Sequence, residues 1–131
     1  MAKIGVGIAN QADDAGIDLV VRFNQALNRQ DVAEMMRLMT QDCVFENTAP
    51  APDGARFEGQ KAVGEFWKEF FHNLHDARIE IEEIFACGER CVMHWVYRWV
   101  DLQGAPGHIR GVDVYKIREG QIAEKLSYVK G

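Results

Sequence analysis

No run of about 18 apolar residues, the length a membrane-spanning helix needs, occurs anywhere in the 131-residue chain. A basic cluster is missing too. The 15 lysines and arginines are dispersed among 20 acidic residues, the net charge is −5, and nucleic acid is not an expected partner. Cysteine is scarce and odd in number: Cys43, Cys87 and Cys91 cannot all pair. The N-terminal stretch from Met1 to Ala9 has one lysine and too short an apolar run for a secretory signal. Free thiols in a reducing cytoplasm are therefore expected. A Gly-rich phosphate loop, a Gly-x-Ser-x-Gly elbow and a Cys–His nucleophile pattern are all lacking, so no nucleotide cofactor is expected. His72 and His75 close a helical segment, where cations suit the dipole, and no third ligand follows at a metal-site spacing. No metal is expected.

What remains is the composition of an ordinary globular protein, 47% hydrophobic and 27% charged. A chain of this length forms one domain and buries roughly two thirds of its unfolded surface. Residues 1–12 read as a flexible arm, small and aperiodic, ahead of a single domain over 13–131. From Asp14 to Asn28, Ile17, Val20, Val21 and Leu27 fall at helical spacing. Asp31-Val-Ala-Glu34 resembles a capping box and opens a second helix, with Val32, Met35, Met36 and Met39 on one face. Cys43 to Asn47 is a short strand, and the Pro- and Gly-containing loop from Thr48 to Ala55 follows it. The third helix is the most regular: Val63, Phe66, Trp67, Phe70, Phe71 and Leu74 form an aromatic stripe that requires a broad apolar support.

The second half of the chain reads as an antiparallel meander. Arg78–Ala86 alternates, with a break in phase near Glu83-Ile84 that marks a bulge. Cys91–Asp101 follows a turn at Gly88-Glu89, and His108–Ile117 and Gln121–Val129 flank a tight turn at Glu119-Gly120. Helices first and an antiparallel sheet second define an α+β arrangement.

Three segments carry a family resemblance: Arg22 to Asp31, Asp42 to Asn47, and Phe57-Glu-Gly59 leading into the third helix. The closing run Val112 to Ile122 completes it. Together they resemble the nuclear transport factor 2-like superfamily, which includes ketosteroid isomerase, limonene epoxide hydrolase and the SnoaL-like polyketide cyclases. The resemblance implies a cone-shaped, cystatin-like fold whose helices and curved, mainly antiparallel sheet enclose an apolar pocket. It also implies a homodimer formed through the sheet. It does not imply a reaction, because one fold hosts enzymes and binders alike.

Strand parity puts Asp113 on the face shared by Gly111, Tyr115 and Ile117, pointing inward among apolar residues. Desolvation there favours the uncharged form of a carboxyl, which suits a proton donor or shuttle. Asp113 matches the acid that serves ketosteroid isomerase as an oxyanion-hole donor. The rest of that set is absent: Phe23 stands where the resemblance places a tyrosine, and Asn47 where it places the base. The epoxide hydrolase set fails as well, since Phe45 and Ser127 replace its tyrosine and acid and no aspartate lies two residues beyond Arg98.

The expected site is thus Asp113 as the catalytic acid/base, with Asn47, Phe23, Arg98, Tyr115, Ser127, Phe66 and Trp67 around the substrate. Lys125 shares a strand face with Ser127 and is a further candidate for the polar groups of the pocket, but the favoured expectation is a solvated edge residue, as most lysines are. Two phases are open for the strand carrying Trp95, Tyr97 and Trp99. Either those aromatics face a partner subunit and Arg98 reaches Asp113, or they line the pocket and Arg98 lies outside. The functional expectation is a cofactor-independent isomerase or cyclase acting on a small apolar carbonyl compound. The alternative is a non-catalytic domain that binds a hydrophobic ligand or assembles as a dimer.

Overall fold

A computed structural model of the chain describes residues 11–74 and 76–131. Most of the expected N-terminal arm, and His75, lie outside the described residues. Gln11 and Ala12, assigned to that arm, are instead the first turn of α1 (Gln11–Asn28). The buried stripe of α1 contains Gly16, Leu19, Val20, Phe23, Ala26 and Leu27, and also Asn24, a polar residue on the same face. Helix α2 (Val32–Arg37) starts at Asp31, whose carboxylate accepts the Glu34 backbone N–H at 3.1 Å. The other half of the expected capping box does not form, because the Glu34 side chain turns to Arg37.

Met39 was expected on that helix but begins β1 (Met39–Glu46), which is longer than the Cys43–Asn47 strand read from the sequence. Strand β2 (Arg56–Glu58) is three residues long and precedes α3 (Gly59–His72). Leu74 lies beyond the end of α3 but still packs on the core. Strands β3 (Asp76–Cys87), β4 (Arg90–Val100), β5 (Pro106–Arg118) and β6 (Gln121–Val129) form the meander. The six-stranded sheet runs β2-β1-β6-β5-β4-β3. All neighbours are antiparallel except β1 and β6, which run parallel.

Two irregularities shape the sheet. The register of β3 against β4 slips between Ile81 and Glu83, a bulge at the break in alternation. The β5–β6 turn has positive φ at both Glu119 (52°) and Gly120 (77°), the backbone of a two-residue hairpin turn whose twist matches the strands. Helix α1 lies against β3 and β4, and α3 against β1. Asn28 clamps the β3 edge through both its amide atoms, donating to Ile79 O at 2.9 Å and accepting from Ile79 N at 2.8 Å. The architecture is α+β, with the helices covering one face of the sheet.

Cys43 and Cys91 are buried in this core and Cys87 is exposed, all as free thiols. Burial pushes the thiols of Cys43 and Cys91 up to about 11. In a native thiol titration at pH 8, only Cys87 is expected to react rapidly, with the other two following on unfolding. Fast reaction of all three would show that the core opens readily.

Candidate functional site

The sheet register assembles a polar island on the helix-covered face. One rung aligns Phe45, Lys125, Tyr115 and Cys91 across β1, β6, β5 and β4. The next aligns Ser127, Asp113 and Met93, and the one after pairs Gly111 with Trp95. Because Gly111 has no side chain, the Trp95 ring lies across it: a Cβ there would sit 2.4 Å from Trp95 Cζ2. The indole reaches Asp113 over this gap.

Asp113 is 1% exposed and accepts from three donors. Trp95 Nε1 donates to Oδ1 at 3.0 Å, and the Tyr115 hydroxyl donates to Oδ2 at 3.1 Å. The Lys125 ammonium lies 3.2 Å from Oδ2. Lys125 is therefore no solvated edge residue. It is 4% exposed, donates to Ser127 Oγ at 2.9 Å, and sits over the faces of Phe45 and Trp67, 4.7 Å and 5.5 Å from the ring centroids. Burial, followed by the negative charge of Asp113, pushes the Tyr115 phenol well above its ordinary range, so it remains a donor. Behind it Asn24 Nδ2 donates to the Tyr115 oxygen at 3.1 Å and to Val20 O at 2.9 Å.

This island forms the polar floor of a cavity of about 120 Å³. The walls are aromatic: Phe45, Phe66, Trp67, Phe70, Trp95 and Tyr97, with Leu27, Ile79 and Ile109 between them. Asn47, Thr48, Asp113, Lys125 and Ser127 supply its polar lining. Asn47 follows the end of β1, and its Oδ1 accepts the Thr48 backbone N–H at 2.8 Å.

The structure gathers Asp113, Asn47, Ser127, Phe66 and Trp67 around one cavity, with Tyr115 bonded to Asp113 beneath it. It does not bring in Arg98 or Phe23. Arg98 lies on the other face of the sheet, exposed, and its Nε donates to Glu80 at 3.0 Å. Trp95 and Tyr97 take the pocket side of β4, which settles the phase left open by the sequence. Phe23 is fully buried edge-on against Tyr115 and does not line the cavity. Sequence reasoning missed Trp95 and Lys125 as partners of Asp113, and Asn24 behind Tyr115. The signal for Asn24 was available, since it falls four residues after Val20 on the apolar stripe of α1. Among the described residues, no group of three His, Cys, Asp or Glu side chains is placed to hold a metal ion.

Residues 20–125 match the model of the SnoaL-like domain family, and the chain belongs to that family. Several solved structures share its fold. An NTF2-like protein of unknown function from Mesorhizobium loti is 32% identical, with 95% of this chain and 98% of that one covered and a TM-score of 0.79. An LEH-like epoxide hydrolase from M. tuberculosis is 17% identical, with coverage of 91% and 85% and a TM-score of 0.76. TerC, co-crystallised with polyporic acid, is 16% identical, with coverage of 88% and 92% and a TM-score of 0.75. The last two likenesses concern the fold alone. No curated protein matches the chain.

Proposed function

We propose that the cavity is the active site of a cofactor-independent enzyme of the isomerase or cyclase type, which moves a proton on a small apolar carbonyl compound. The observation that carries this reading is the Asp113–Lys125 ion pair, buried beneath an aromatic pocket and lining it. Desolvating two charges is expensive and often no better for stability than packing apolar side chains in their place. Use at the site accounts for keeping them.

Chemically the pair divides the work. A carboxylate has about four lone-pair sites, and Asp113 fills three of them with Trp95, Tyr115 and Lys125. The site left on Oδ1 takes a proton from the carbon next to the substrate carbonyl. Charge then develops on the carbonyl oxygen, where the Lys125 ammonium and Ser127 hydroxyl stabilise it. Return of the proton at another carbon is an isomerisation; attack of the enolate carbon on a second carbonyl of the same molecule, with the Asp113 proton passed to the alkoxide that forms, is a cyclisation. Asp113 in this scheme is a proton acceptor rather than an oxyanion-hole donor, because each of its oxygens already receives a hydrogen bond.

The test is exchange of α-protons for deuterium in a panel of small ketones, followed by proton NMR. Wild type is expected to accelerate exchange, and Asp113→Asn to lower the rate by about a hundredfold or more while retaining ligand affinity. Binding without any exchange in wild type would favour the alternative, a domain that holds a hydrophobic ligand.

A homodimer through the outer face of the sheet belongs to the same proposal. Val92, Val114 and Leu126 align there across β4, β5 and β6, beside Tyr128, which is 55% exposed. The ion pairs Arg98–Glu80, Arg110–Glu82 and Arg90–Glu124 lie on the same sheet. Of the aromatics expected at this interface under one phase, Trp95 and Tyr97 line the cavity instead, and Trp99 packs against Tyr97 without lining it. Val114→Glu is expected to convert a dimer to a monomer in sedimentation, and a monomeric wild type would end the idea. No helix among the described residues is long and apolar enough to cross a membrane. The three free thiols support a reducing, cytoplasmic setting.

A further inference from the structure

The polar groups of the cavity are unevenly spent. Each of its main acceptors is already engaged, with one Asp113 Oδ1 site left for the proton: Asp113 receives Trp95, Tyr115 and Lys125, Ser127 Oγ receives Lys125, and Asn47 Oδ1 receives the Thr48 N–H. Its donors are not. Lys125 carries three N–H groups and directs two of them at Asp113 and Ser127. Ser127 keeps its hydroxyl proton. Trp67 forms part of the wall, and its Nε1–H is buried with no acceptor among the described residues. A buried donor without a partner is costly, and a ligand oxygen relieves it.

Charge and size narrow the ligand further. Lys125 is already matched by Asp113, so a ligand with a net charge of its own would enter an apolar sleeve without a counter-ion. The volume of about 120 Å³ is slightly below the roughly 150 Å³ of an apolar cavity that admits benzene. Aromatic side chains, Phe45, Phe66, Trp67 and Phe70 among them, dominate the lining and favour an aromatic guest.

We infer that the pocket selects an uncharged molecule of about one six-membered ring whose polar end is an acceptor oxygen held by Lys125, Ser127 and Trp67. The same skeleton ending in a carboxylate, an ammonium or no polar group is discriminated against. This deepens the proton-transfer reading, from which it takes the carbonyl as the reacting group, yet binding alone tests it.

The experiment is an NMR titration of the full chain with acetophenone, benzoate, 1-phenylethylammonium, isopropylbenzene and 2-acetylnaphthalene. Acetophenone is expected to bind at least about tenfold more tightly than each of the others, the advantage of one well-made buried hydrogen bond. Trp67→Phe is expected to reduce the acetophenone advantage over isopropylbenzene to about threefold or less, with the hydrocarbon's own affinity nearly unchanged. Ser127→Ala leaves the aromatic wall intact and is expected to narrow the same ratio, so it serves if Trp67→Phe does not fold. Tighter binding of benzoate, the amine or the two-ring ketone would overturn the inference, as would equal losses for ketone and hydrocarbon in both variants. Wild type that binds acetophenone without exchanging its methyl protons keeps this inference and defeats the catalytic reading. Wild type that exchanges ketone protons yet prefers benzoate does the reverse.

Discussion

Replacing Lys125 with methionine is expected to cost the fold about 3–5 kcal/mol, the penalty for leaving one member of a buried ion pair without the other. The magnitude follows from the surroundings. Asp113 is 1% exposed, and removal of the ammonium leaves its negative charge facing the Trp95 and Tyr115 donors with no compensating cation. Methionine matches the length of the lysine stem, so lost packing between Phe45 and Trp67 is a small part of the effect. Urea denaturation of the single variants and of Lys125→Met combined with Asp113→Asn forms a double-mutant cycle. The second substitution is expected to recover at least about half of the loss, because it removes the charge that the first one stranded. A cost below about 1 kcal/mol for Lys125→Met would resemble an exposed pair and would show that water reaches Asp113.

Gly111→Ala is expected to destabilise by about 3 kcal/mol, at the upper end of what overpacking costs. The new methyl carbon would lie 2.3 Å from the backbone oxygen of Tyr128 and 2.4 Å from Trp95 Cζ2. A side chain can rotate away, but a strand carbonyl paired within the sheet cannot. Relief therefore requires both a local parting of β5 from β6 and displacement of the Trp95 ring, which breaks its bond to Asp113. Near-ultraviolet circular dichroism and tryptophan fluorescence should change together with stability. Native spectra and a native unfolding midpoint would mean that the strands part at this rung without cost.

Both predictions rest on contacts that the sequence revealed unevenly. The Glu119-Gly120 turn, the bulge near Glu83 and the aromatic stripe of α3 are local signals, each written within a dozen residues, and each appears in the structure. The inward direction of Asp113 follows from strand parity alone. Lys125 did not follow from such rules. Its burial depends on β6 inserting beside β1, so that Phe45 and Lys125 share a rung although 80 positions separate them in the chain. No local periodicity encodes that pairing, and the ordinary preference of lysine for water pointed the other way. The phase of β4 was undecided for a related reason: Arg98 and the aromatics alternate perfectly, and only the location of the helices tells which side is the interior. Strand β2 has just three residues and hence no period to detect.

The position of β6 in the sheet has a consequence for assembly. It is the latest strand in the chain, yet it occupies the middle of the sheet, with β2 and β1 on one side and β5, β4 and β3 on the other. Until it docks, β1 with Phe45 and β5 with Asp113 have no strand between them, and the two sides are bridged mainly by helix packing and by Phe70 against Tyr97. Closing them requires a contact of long sequence separation, the kind that forms slowly. The strand that makes this closure also delivers Lys125 and Ser127. An incompletely folded molecule thus has a bare carboxylate and no cavity floor, and ligand affinity appears in the same step that completes the sheet. Recovery of ligand binding during refolding should accordingly run in parallel with the last phase of sheet formation, and never ahead of it.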